Sequence, residues 1–326
     1  MDGVIIVRKE AGYTSSDVVT ILRGILHMKR IGHTGTLDPQ AEGVLPVCLG
    51  CATRAAELLT AQTKEYVTRM VFGYETDTQD TTGQITQTCE YAFSEEKFRY
   101  AVRRLTGEIR QTPPMYSAIR IDGQHLYDLA RQGVTVERPA RTVTIHEAEI
   151  LALDPKGASL RIVCSKGTYI RTLVTDIGRE AGFLASMEKL TRTRSGSFSL
   201  DQALSLGEIR EKALDGTIEE HILPLSELFS EYPQGTVLPE DDGRLRNGNP
   251  LQMGRIRFEK GLPQAEAMPG QQAEANPGPL SESKPGPQTG DQEDLIAMHL
   301  SDGAFIALYR VQPGTDTAIC YKMFGV

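Results

Sequence analysis

Strand-like and helix-like apolar patterns succeed one another along this chain in irregular order, which argues against a doubly wound parallel sheet. Residues 3–7, 64–73, 142–153 and 159–165 read as strands. Between them, Val18, Val19, Ile21, Leu22, Ile25 and Leu26 line one helical face, and Ile170, Leu173, Val174 and Ile177 line another. Ser15 or Ser16 is expected to cap the first helix. Ser94 starts a helix that runs through Leu105 and is closed by Gly107. The helix from Tyr169 to Ala181 is followed by Gly182, and Ser205 with Glu208 forms a capping box that opens one more. No internal repeat is visible. Irregular succession of this kind predicts an α+β fold, with a mixed, largely antiparallel sheet and flanking helices.

The 326 residues, 40% of them apolar, are enough for one large domain or two moderate ones. No apolar run reaches the ~18 residues of a membrane span, and the N-terminus has only a short apolar stretch behind an acidic start. No signal or transit peptide and no membrane association are expected, and the cytoplasm is the expected compartment. Five cysteines, including the pair Cys48 and Cys51, lack the second cluster a zinc site requires. No disulfide and no metal are expected.

The formal charge of −8 at first argues against a polyanionic partner, but it is unevenly distributed. Residues 201–242 are net −9 and residues 262–294 net −5, so the rest of the chain is net +6. Residues 97–141 and 156–194 are each net +5. A basic half with acidic flanks suits a nucleic acid, although local charge excess also simply solvates a surface. Residues 262–294 hold 6 Pro, 4 Gly and 5 Gln, with no aromatic and no Val or Ile. Such a stretch cannot bury enough to offset its ordering entropy and is expected to be a disordered insertion. Its flanks, MGRIRFEK and DLIAMHL, read as neighbouring strands of one small β domain.

Three segments could carry chemistry. In residues 32–46, GHTGTLDPQAEGVLP, three glycines permit close backbone approach, and Pro39 makes Asp38 extended and stiffens the turn. The Lys-Ser/Thr ending of a phosphate loop is missing, as are a metal cluster and a serine-hydrolase elbow. Asp38 remains as a nucleophile or base, or as the ordinary carboxylate of an Asp-Pro turn. In residues 164–173, CSKGTYIRTL, Arg171 falls on the first turn of a helix, where its planar fork could meet a carboxylate. Residues 111–133 form a basic, turn-rich excursion suited to clamping a substrate. Tyr66 and Tyr169 stand beside charged residues, as base-stacking aromatics do, and as core tyrosines also do.

Taken in order, KEAGYTSSDVV, GHTGTLDPQAEGVLPVCLGCATR, KEY, QTPPMYSAIRIDGQHLYDLAR, CSKGTYIRTL and LTRTRSGSF resemble the TruB family of tRNA pseudouridine-55 synthases. The resemblance covers about residues 1–258 and 295–326. It implies a catalytic pseudouridine synthase domain over 1–232, with a thumb at about 111–141, and a PUA-like RNA-binding domain over 233–326 that carries the 262–294 insertion. It implies isomerisation of a uridine in the tRNA T-loop, with the T-arm stem-loop as partner. No cofactor and no obligatory protein partner are implied, and the chain would act as a monomer. By the same resemblance, Asp38 is the catalytic aspartate and Arg171 its partner. Tyr66 stacks on the target base and helps remove the C5 proton, and His33 fills the space the flipped base vacates. Tyr169 and Leu190 line the pocket, and Lys9 is a basic residue near it. Where the family often has Lys-Pro, Lys9 is followed here by Glu10. Two alternatives stay open: a non-catalytic tRNA-folding chaperone, and the catalytic subunit of a guide-RNA particle.

Overall fold

The computed structural model describes residues 1–121, 123–258 and 294–325. They form two compact units, one of residues 6–47 and 56–218, the other of residues 1–5, 48–55 and 219 onward.

The larger unit opens with β1 (Gly3–Lys9, from Ile6 on), α1 (Ser15–Leu26), β2 (Ile31–His33) and β3 (Glu42–Leu49). It continues with β4 (Lys64–Phe72), the hairpin β5 (Tyr74–Thr76) and β6 (Ile85–Thr88), and α2 (Glu95–Arg104). Then come β7 (Gly107–Gln111), β8 (Arg141–Asp154), β9 (Gly157–Cys164), α3 (Ile170–Ala181), β10 (Ala185–Ser195) and α4 (Leu206–Asp215). The main sheet runs β1-β3-β10-β4-β9-β8-β7, with β2 paired to β3. β10 is parallel to β3 and antiparallel to β4, and the pairs from β4 through β7 are all antiparallel. The sheet is therefore mixed and largely antiparallel, as the irregular succession of patterns predicts.

Alternation does the sorting. In β4 Lys64, Tyr66, Thr68, Met70 and Phe72 are buried on one face. Thr68 stands opposite Leu190 and Tyr66 opposite Arg192, so two strands present their site residues side by side. Gly43 makes the parallel pairing of β3 and β10 possible: its φ is +109°, and a Cβ there would collide with the backbone of Arg192. Two of the expected caps are in place, Ser94 on α2 and Ser205 with Glu208 on α4. The first helix differs. Thr14, not Ser15 or Ser16, is the cap, in a reciprocal box with Asp17. Three successive hydroxyls suit the role equally, and Ser15 is used elsewhere. Between β7 and β8, the excursion holds a two-residue pairing (Arg120–Ile121 with Gln124–His125) and a short helix, Leu126–Arg131.

In the other unit, β11 (Gln234–Val237), β12 (Leu251–Gln252), β13 (Ile256–Phe258), β14 (Leu295–His299), β15 (Phe305–Val311) and β16 (Thr317–Met323) form a sheet in the order β12-β16-β15-β14-β11-β13. Its core includes Val237, Leu245, Ile256, Ile296, Met298 and Tyr309. The flanks of the insertion are thus not neighbours: β11 lies between β13 and β14, antiparallel to the first and parallel to the second. Apolar pattern marks both as strands of one sheet, but it carries no information on which strand each pairs with. Of the insertion itself, residues 262–293 lie outside the described residues.

Candidate active site

Asp38 follows β2 on a loop that is fastened from below. Leu37 N donates to Ser15 Oγ at 2.9 Å, and Ser15 Oγ reaches Leu37 O at 3.3 Å, tying the loop to the first turn of α1. Lys9, at the end of β1, is 0% exposed. Its ammonium donates to the carbonyls of Glu10 (3.0 Å), Pro39 (3.0 Å) and Ala41 (2.6 Å). Burial lowers the Lys9 pKa to about 8, with the Asp38 charge pulling the other way. Lys9 therefore bears on the site through the backbone carbonyls of Pro39 and Ala41, which hold the loop just after Asp38.

The Asp38 carboxylate meets Arg171 on two prongs, Nε to Oδ2 at 2.8 Å and Nη2 to Oδ1 at 3.1 Å. Arg171 is buried on the first turn of α3, and two further loops hold its guanidinium. Nη1 donates to Thr78 O at 2.8 Å and Nη2 to Tyr116 O at 2.7 Å. Asp80 lies 3.9 Å from Nη1. Its own Oδ1 accepts from Thr78 Oγ1 (2.8 Å), Thr82 N (3.0 Å) and Thr82 Oγ1 (2.5 Å), so it is held rigidly.

Above this pair opens a cleft of about 160 Å³, lined by Asp38, Pro39, Ala41, Asp80, Met187 and Leu190 among others. That is close to the roughly 150 Å³ known to admit one benzene ring. Tyr66 and Tyr169 are not in the cleft lining, but the charge of Asp38 reaches the phenol of each. Burial pushes both phenols above their ordinary range, and for Tyr66 the nearby Arg192 opposes it. His33 stands apart from the cleft. Its Nδ1 accepts from Gly35 N at 3.3 Å, and burial, then the Arg192 charge, lowers the pKa of the ring. It lines a second depression of about 350 Å³ with Ser16, Thr20 and Arg23 of α1.

Sequence patterns do not assign to the site three residues that build it: Asp80, Arg192 and Ser15, the last read only as a helix cap. Arg192 is 1% exposed and donates from Nε to Val44 O at 2.7 Å. Its charge helps lower the pKa values of Lys9, His33 and Lys64. Nothing local sets it apart from Arg194 two residues on, because only strand register decides which of them is buried. Asp80 sits in TDTQDTTG, whose density of hydroxyl and carboxylate oxygens is the one local signal, although it reads equally as a surface turn. None of the five cysteines is in a disulfide, and burial raises Cys48 and Cys164 to about 12.

Comparison with known proteins adds an independent line. The model of the TruB family pseudouridylate synthase (N terminal domain) matches residues 23–170, and that of the tRNA pseudouridylate synthase B C-terminal domain matches residues 171–230. The chain is 42% identical over 260 residues to the tRNA pseudouridine synthase B of Bacillus pumilus (strain SAFR-032), covering 78% of this chain and 84% of that one. It is also 42% identical over 261 residues to that of Geobacillus thermodenitrificans (strain NG80-2), covering 78% and 86%. Among solved structures, a Cbf5-Nop10-Gar1 complex contains a chain 25% identical with a TM-score of 0.69, covering 99% of this chain and 84% of that one. An H/ACA RNP bound to a substrate RNA contains one 23% identical with a TM-score of 0.68, covering 99% and 85%, a likeness of fold. With its family models covering well over half its length, and with relatives of this closeness, the chain belongs to the TruB family of pseudouridylate synthases.

Proposed function

We infer that this protein isomerises uridine to pseudouridine in tRNA, at position 55 of the T-loop, with Asp38 as the catalytic carboxylate. The observation that carries the reading is the two-pronged Asp38–Arg171 pair beneath a cleft the size of a single ring. In the reaction the N1–C1′ bond breaks, the base turns, and a C5–C1′ bond forms. One proton leaves C5 and N1 gains one, so atoms and electrons balance without a co-reactant. Asp38 attacks the nucleoside or assists loss of the base. Arg171 fixes its orientation, and Leu190 gives the base an apolar wall. Tyr66 stacks on the base and helps remove the C5 proton. The resemblance gives Tyr169 a place at the pocket when RNA is bound, although it is not in the lining of the cleft described above, and His33 takes the place of the extruded nucleotide. Extrusion costs a few kcal/mol, offset by these contacts. Lys9 supports the loop rather than the RNA. We take the chain to act alone and in the cytoplasm, where such a substrate is found. Among the described residues no helix is long and apolar enough to cross a membrane.

The guide-RNA alternative draws support from the Cbf5-Nop10-Gar1 likeness, and one assay separates it. Unmodified elongator tRNA is incubated with the purified protein and no other component, and pseudouridine is mapped. Conversion at the T-loop uridine is expected. Asp38→Ala is expected to abolish it while tRNA binding stays within about threefold, because affinity rests on cations and stacking. Conversion only with an added guide RNA would favour the alternative, and turnover by Asp38→Ala would remove Asp38 as the reacting group. A chaperone would fold tRNA equally well with Asp38→Asn.

A further inference from the structure

We propose that Gln111 is a positioning residue that ties the root of the 111–141 excursion to the Asp38–Arg171 pair by gripping the backbone of Tyr169 with both ends of its side-chain amide. The inference rests on the proposed function in taking that pair as the reacting centre.

Gln111 is the last residue of β7, 2% exposed, and pairs across the sheet with Arg141 of β8. Its Oε1 accepts from Tyr169 N at 2.7 Å, and its Nε2 donates to Tyr169 O at 3.0 Å. One planar amide thus satisfies both polar groups of one residue, as a neighbouring strand would. Tyr169 is the N-cap of α3, with extended backbone angles and no side-chain cap bond of its own. The cap residue sets where the first helical turn begins, and Arg171 is on that turn. Five residues beyond Gln111, the carbonyl of Tyr116 takes a hydrogen bond from Arg171 Nη2. The excursion therefore leaves the sheet at a side chain that fixes the helix start, and returns a carbonyl to the arginine carried by that helix. Force on the excursion when it meets RNA passes to the Asp38–Arg171 geometry by two short routes. A misplacement of about 1 Å at a reacting centre can cost on the order of 100-fold in rate.

The test uses the full chain and unmodified tRNA at saturating enzyme, with single-turnover rate, tRNA affinity and thermal midpoint all read. Gln111→Ala is expected to slow isomerisation at least about tenfold while the dissociation constant stays within about threefold. Gln111→Glu carries the sharper readout. Its ionised carboxylate can accept from Tyr169 N but cannot donate to Tyr169 O, and a protonated carboxyl can do both. Burial at this 2% exposed position opposes the ionised form and raises the carboxyl pKa, while Arg141 opposite and Arg171 on the adjoining helix pull the other way, so the regain belongs on the acid side of neutrality. Relative to wild type at each pH, Gln111→Glu should be as slow as Gln111→Ala near pH 8 and recover several-fold toward pH 5.5. A merely structural role has no reason to follow that protonation. The proposal is overturned by a Gln111→Ala rate within twofold of wild type, by a loss explained by affinity, or by a flat relative pH profile for Gln111→Glu. Should Gln111→Ala fail to fold, the profile of Gln111→Glu decides. Wild type inactive on tRNA would sink the functional reading, whereas active wild type with unaffected variants would sink only this inference.

Discussion

The Arg171 guanidinium spends its donors in fixed directions: two toward the Asp38 carboxylate, one toward Thr78 O and one toward Tyr116 O. Three loops converge on one planar group. A lysine would retain the charge, but a point ammonium on a flexible stem cannot meet a carboxylate two-pronged and hold both carbonyls. Arg171→Lys should therefore lower the single-turnover rate by about 100-fold or more, with tRNA affinity nearly unchanged. A near-normal rate would show that charge alone is enough at this position. Which residues were legible follows from the same physics. Asp38 and Arg171 stand in motifs whose glycine and proline spacing constrains the backbone locally, so a dozen residues were enough to single them out, although spacing alone left Asp38 open between a reacting group and an ordinary Asp-Pro turn. Ser15, Gln111 and Arg192 act through partners 22, 58 and 148 positions away. No local pattern distinguishes a serine that caps a helix from one that fastens a distant loop.

At the scale of elements, α3 supplies Arg171 from its first turn and a less favourable group from its middle. Asp176 is half-buried, and burial raises its pKa to about 6 from 3.8, with Glu75 adding to the rise and Arg179 opposing it. Its folded-state pKa thus lies above the unfolded value. Between pH ~4 and ~6 the folded chain holds more proton than the unfolded one, so this group's contribution falls as pH rises through that window. Above pH 6 the full cost of an ionised carboxylate is present. With solvent still reaching part of it, the cost is about 1–2 kcal/mol. Asp176→Asn should raise the melting temperature at pH 8 by several degrees, and the gain should vanish below pH 4. A gain independent of pH would mean that packing, not ionisation, is responsible. The elements themselves were largely legible, because helix starts at Ser94 and Ser205 and paired strands around residue 155 are local features. The bulges in β10 after Met187 and Arg192 were not, since a bulge is defined by the partner strand.

For the whole molecule, the segment with least to bury joins β13 to β14 in the sequence, two strands of the smaller unit that have β11 between them. Phe258 of β13 stands opposite Gly235 of β11, and Ala297 of β14 opposite Gln234. The chain therefore leaves β13 and enters β14 at the same end of the sheet, with the width of β11 between them. Two strand spacings are about 10 Å. A two-residue hairpin turn, right for adjacent strands, cannot bridge that distance with the correct geometry. Deleting residues 262–290 leaves 259–261 and 291–294 between the strands, seven residues that reach about 23 Å when extended. This shortened chain should fold and isomerise tRNA at near wild-type rate. Its stability should hold, or rise by about 1 kcal/mol from the smaller closure entropy. Replacing 259–293 by a two-residue turn should instead lower the melting transition of this unit, because either the turn or the β11 pairings must give way. If both deletions melt alike, β13 and β14 do not straddle β11 in solution. Loss of activity by the seven-residue version, with its melting intact, would give the segment a role in RNA handling that its composition does not announce.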